Sequence, residues 1–151
     1  MPTLNAIYQD ISRWPKWRAA ISLVLAASVL QAAPVSRRTF ATPQEAIQAT
    51  IDAAEHNDDG ALLQLFGSDG KDILESGDPV RDKEYRTEFA RSAHEKLQIE
   101  QDPTNPDRVT FAVGEQDWPF PVPVVRENGK WQLDPIGGRL EILARQVGRM
   151  N

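Results

Sequence analysis

Residues 120–133 read Phe120-Pro-Val-Pro-Val-Val-Arg-Glu-Asn-Gly-Lys-Trp-Gln-Leu133, and the Asn128-Gly129 pair inside this stretch decides the fold class. Both residues accept a positive φ, which a two-residue type I′ hairpin needs at its two central positions. The turn then sets the register: Glu127 faces Lys130, Arg126 faces Trp131, and Val124 faces Leu133. Side chains alternate between the faces of a strand. Phe120, Val122, Val124, Trp131 and Leu133 therefore share one face. Pro119, Pro121 and Pro123 all stand at odd positions. Alternate residues of an antiparallel strand send their N–H groups to the same side, so all three missing donors fall together. That side is predicted to lack a continuous strand partner over 119–123, as a sheet edge or a covered gap.

Upstream, the apolar period is also two. Leu97 and Ile99 alternate, and after the turn at 102–107 so do Val109, Phe111 and Val113. Before Lys96 the period is helical. Thr42-Pro43-Gln44-Glu45 supplies a cap, a proline suited to the first turn, and the acidic partner of a capping box. Ile47, Thr50, Ile51 and Ala54 follow as one stripe. Asp58 or Asp59 caps a second helix that buries Leu62, Leu65 and Phe66 and stops at Gly67. A single helical turn is predicted around Ile73-Leu74. Asp78-Pro79 opens a third long helix with Tyr85, Phe89 and Ala93 spaced by four and an Asp82–Arg86 surface pair. Gly137-Gly138 precede a last helix over 139–149, with Leu140, Leu143 and Val147 on its stripe. The expected fold is α+β: N-terminal helices on a curved antiparallel sheet of about four strands, with a C-terminal helix.

The first 33 residues belong to another class of sequence. Arg13, Lys16 and Arg18 precede the apolar run 19–30, and small residues follow at Ala32 and Ala33. Positive, apolar, small is the order of a secretory signal. Twelve helical residues span about 18 Å, short of the ~30 Å hydrocarbon core. The expectation is a signal peptide over 1–33 with a periplasmic domain behind it. The alternative is an uncleaved inner-membrane anchor facing the periplasm, the only route by which a membrane becomes a partner. Residues 34–41 read as a linker and 42–151 as a single domain. Residues 34–151 carry 14 Lys or Arg against 21 Asp or Glu, a net charge of −7. Phosphate backbones repel such a surface, so nucleic acid is not an expected partner. The chain has no cysteine, which removes disulfides, thiolate chemistry and a lipidated N-terminal cysteine.

Four stretches carry a resemblance. They are Phe40-Ala-Thr-Pro-Gln-Glu45; 62–78, with Gly67, Asp69-Gly70 and Ser76-Gly77-Asp78-Pro79; Gly114-Glu-Gln-Asp-Trp-Pro-Phe-Pro-Val-Pro-Val124; and Gly138-Arg-Leu-Glu-Ile-Leu-Ala-Arg145 with Gly148-Arg149. Together they resemble an exported bacterial family catalogued as domain of unknown function 2950. The resemblance implies no activity and no catalytic residues. It implies a second β-rich half after the Gly-Arg-x-Asn end, which this chain lacks, and hence a truncated member or a half used alone. Helices followed by a curved sheet are also similar to the nuclear-transport-factor-2-like cone fold, which serves enzymes and binding modules alike.

Candidate chemistry is sparse. His56 and His94 are the only histidines, and no Gly-x-Ser-x-Gly elbow accompanies them. The acidic turns 57–60 and 69–72 lack the ligand spacing of a calcium loop, so they read as caps. Gly137-Gly138 offers at most a weak anion site. Neither a metal nor a cofactor is expected. The best ligand-binding candidates are Glu115, Asp117, Trp118 and Phe120, carboxylates beside aromatics in a proline-stiffened loop, with Trp131 on the same sheet face. The expected function is a non-catalytic module for a small ligand or a protein partner. Two alternatives stand beside it. One is an acid–base enzyme using Asp117 or Glu115 with His94. The other is a structural half-domain that packs against a partner and exposes an apolar patch on its last helix.

Overall fold

The computed structural model describes residues 36–148; the expected signal over 1–33 lies outside them. The Asn128-Gly129 turn has φ of 51° and 75°, as a type I′ hairpin requires. It joins β4 (Val124–Glu127) to β5 (Lys130–Leu133) in the register read from sequence: Glu127 with Lys130, Arg126 with Trp131, Val124 with Leu133. β1 (Leu97–Gln101) and β2 (Arg108–Val113) pair over five residues. The sheet is antiparallel throughout, in the order β1-β2-β4-β5, with the short β3 (Trp118–Pro119) also on β2. The chain is thus α+β.

The strand expected over 120–124 is not continuous. β3 pairs Trp118 with Val113 and Pro119 with Ala112, and the Phe120 N–H still reaches the Phe111 carbonyl at 2.8 Å. Pairing resumes only at Val124 with Val109. Thr110 alone therefore stands opposite the three residues 121–123. Prolines at 121 and 123 cannot donate to a ladder, so the chain bulges there. Val122 is nevertheless fully buried. The proline side of β3 has no strand against it among the described residues. The helix α5 (Pro135–Gly148) covers the gap instead. Gly138 lies so close that a Cβ there would meet Val122 at 2.8 Å, and Arg145 donates to the Pro119 carbonyl at 3.3 Å.

The helices follow their caps. α1 (Pro43–Glu55) starts on Thr42, whose hydroxyl accepts from the Glu45 N–H at 3.2 Å. The Glu45 carboxylate reaches back one residue further than a standard box, to the Ala41 N–H. α1 buries Ala46, Ile47, Thr50, Ile51, Ala53 and Ala54. Thr50, a polar residue in the core, is satisfied by the Ala46 carbonyl at 2.8 Å. α2 (Asp59–Phe66) is capped by Asp58 and ends at Gly67, φ 71°. A 3-10 turn (Ser68–Gly70) and the single-turn α3 (Lys71–Leu74) lead to α4 (Pro79–Glu95), capped by Asp78. The core is formed by the α1 and α2 stripes against Val109, Phe111, Val113, Val122, Val124 and Leu133. Full burial of side chains such as Phe66, Phe111 and Ile47 stabilises by about 1.5–3 kcal/mol each.

Four expectations are corrected. Within the linker read over 34–41, residues 37–40 are docked. Phe40 exchanges backbone hydrogen bonds with Trp131 at 2.8 and 2.9 Å, and the Arg38 N–H reaches the Gln64 carbonyl at 2.7 Å. The buried Phe40 ring drives this. α5 begins at Pro135, four residues early, because Asp134 caps it through the Gly137 N–H at 3.1 Å. Its stripe Leu140, Leu143, Val147 faces outward, 55–65 % exposed, because Gly138 makes the close approach to Val122. Arg86 does not pair with Asp82. It turns inward to Asp59, to the Asn57 Oδ1 at 3.0 Å and to the Leu74 carbonyl at 3.2 Å.

Candidate functional site

Gly114 takes φ of 78°, and its N–H points into the end of α4, reaching the Ser92 and Lys96 carbonyls at 3.0 and 2.9 Å. That contact pins the loop 114–121 beside α4. A turn closed by the Asp117 N–H on the Gly114 carbonyl at 3.0 Å then feeds β3. Phe120 stacks on Phe111 with centroids 4.6 Å apart, and Phe89 of α4 lies 5.0 Å from Phe120. The aromatic trio does not close the space above it. A groove of about 830 Å³ runs between α4, the α2–α3 region and the loop. Phe66, Phe89 and Phe120 are buried or half-buried along it, while Tyr85 and Trp118 stand 64 % and 63 % exposed at its lips. Apolar grooves of roughly 300–1,000 Å³ with a few polar groups are the usual form of small-molecule sites.

The sequence candidates divide. Glu115, Trp118 and Phe120 line the groove. Asp117 does not: its carboxylate pairs with Lys96 at 2.7 Å. That hydrogen bond, with the charge of Glu115 behind it, raises the Lys96 pKa. Asp117 adopts φ of 51° in the turn, and its side chain reaches Lys96 rather than the groove. Trp131 is buried in the core, beneath Arg126 at 5.5 Å. The positive tip of Arg126 and the Phe40 bridge account for it without a ligand. His94 pairs with Glu55 at 3.1 Å, on the exposed side of α4. Asp117 and His94 thus hold different partners, and neither lines the groove.

Sequence reasoning missed Phe66, Tyr85, Phe89 and Arg86 as groove residues. Tyr85 and Phe89 read as one buried stripe, yet Tyr85 is open. The available signal was the mismatch along α4, where small Ala90 and Ala93 are the only residues fully buried. In the acidic turns Asp58 caps α2, Asn57 and Asp59 hold Arg86, and Asp72 holds Arg139. The Arg139 hydrogen bond lowers the Asp72 pKa. Among the described residues no group of three His, Asp or Glu side chains is placed to hold a metal ion. None of their helices is long and apolar enough to cross a membrane.

A family model described as a protein of unknown function, DUF2950, matches residues 37–151. The chain belongs to that family. No curated protein and no solved structure matches it.

Proposed function

We propose that this is an exported, non-catalytic module that takes a small apolar ligand into the groove between α4 and the loop 114–121. The observation that carries this reading is that half-buried Phe89 and Phe120, with the buried Phe66, line a groove between two exposed aromatic lips. Phe89 and Phe120 pack on each other, yet nothing among the described residues covers them, and they line a space instead. Acid–base catalysis has no comparable support: Asp117 and His94 are paired elsewhere, and Glu115 lines the groove without His94. The positive, apolar, small order of 1–33 supports export to the periplasm. The helices-over-sheet order supports a cone-like architecture. The binding test is uptake of a neutral solvatochromic dye such as Nile red. One equivalent is expected per chain, weakened by the double variant Tyr85→Ala, Trp118→Ala; uptake unchanged by that variant overturns the reading. The export test is mass spectrometry of the N-terminus after envelope fractionation. An N-terminus near residue 33 or 34 is expected, and an intact Met1 in the membrane fraction gives the anchored form.

A second reading has its own observation. Ile136, Leu140, Leu143 and Val147 are all more than half exposed on α5, spaced by four, three and four residues. That is the spacing of a helix–helix seam. Of the residues flanking it, Gly137, Ala144 and Gln146 are uncharged and Arg139 is paired with Asp72. Self-association in sedimentation equilibrium, lost on Leu140→Glu with Leu143→Glu, is the expected result; a monomer at every concentration sinks it.

A further inference from the structure

We infer, resting on that groove, that its ligand is a cationic amphiphile: an organic ammonium head on an apolar body. The charges around the groove carry the inference. Four carboxylates line it, Asp82, Glu88, Glu95 and Glu115, against two guanidiniums, Arg86 and Arg91. Both guanidiniums already hold carboxylate partners within the chain. Arg86 is saturated by Asp59, Asn57 and the Leu74 carbonyl, with its side chain only 14 % exposed. Arg91 is held between Glu88 and Glu95 on its own helix. Lys96, which also feels the charge of Glu115, is engaged by Asp117. An anionic head would meet only cations that already hold a carboxylate partner. A cationic head meets Glu115, which makes no ion pair among the described residues, and the open rings of Tyr85 and Trp118. Aromatic faces attract ammonium groups, and quaternary ammonium recognition uses such rings. The apolar body would lie over Phe89 and Phe120. At about 830 Å³ the groove suits a small molecule rather than a folded partner.

The experiment is equilibrium dialysis of the full chain against three ten-carbon amphiphiles, each below its micelle concentration. They are decyltrimethylammonium, decyl sulfate and decyl maltoside. The expected result is at least about tenfold tighter binding of the ammonium compound, narrowing as salt rises. Glu115→Lys should erase most of that preference, and Trp118→Leu should weaken the ammonium compound by about threefold to tenfold. If all three bind alike and Trp118→Leu weakens each, the groove reading stands and the charge inference is overturned. If none binds, or if binding ignores both substitutions, both readings fail together. Circular dichroism of each exposed-site variant confirms that the fold survives the change.

Discussion

α1 and α4 begin with the same chemistry and end with different roles. Each opens with a capping oxygen followed by proline, Thr42-Pro43 and Asp78-Pro79. Each runs more than three turns. Yet α1 buries six residues, including Ile47 and Ile51, whereas α4 buries only Ala90 and Ala93. The larger side chains of α4 are left half-buried or open: Phe89 faces the groove and Tyr85 stands at its lip. The difference teaches that cap grammar places a helix without saying what it is for. The signature of the working helix is bulk that is withheld from the core.

This contrast can be broken by unfolding experiments. Ile47→Ala in α1 should cost about 2–5 kcal/mol in urea denaturation, the range for a large-to-small change at a fully buried site. A smaller loss would mean that α1 is not the scaffold. Removing the caps sharpens the shared part of the comparison. Thr42→Ala and Asp78→Ala should each cost about 1 kcal/mol, and nearly equally. Tyr85→Ala should change stability by less than about 0.5 kcal/mol while weakening dye uptake. A large stability loss there would return α4 to the core. The smallest effect separates the two starts by pH. Asp82 accepts from the Ser76 N–H at 3.1 Å with both oxygens, and this lowers its pKa. Its contribution is therefore complete above the ordinary carboxylate pKa near 4 and is lost as pH falls through the lowered value. Asp82→Asn should flatten the stability curve below about pH 4. Thr42 carries no titrating group, so Thr42→Ala should leave that limb unchanged.

Local chemistry was legible wherever two or three neighbouring residues decide the outcome. The hairpin register, the caps at Thr42, Asp58 and Asp78, and the stop at Gly67 follow from such rules. The start of α5 was also legible: Asp134-Pro135 repeats the cap-then-proline pattern, and Gly137-Gly138 hid it. What sequence could not supply was apposition between distant segments. Arg86 finds Asp59 rather than Asp82 because the fold brings the first residue of α2 within its reach. The outward turn of the α5 stripe depends on Gly138 meeting Val122 across the proline gap. The site divides in the same way. Trp118 and Phe120 stand out within one loop, but Phe66, Tyr85 and Phe89 join them only once three separate elements come together. Asp117 looked functional by composition, but Lys96 from the end of α4 engages it.

The pairing of Phe40 with Trp131 has a consequence in time. During synthesis residue 40 emerges long before residue 131, and its backbone partners do not yet exist. Closing so long a loop is entropically unfavourable until the non-local contact rewards it. A nascent chain that ends before the Asn128-Gly129 turn therefore holds its first helix without the strand that seats it. Docking of Phe40 waits until residues 128–133 have been made.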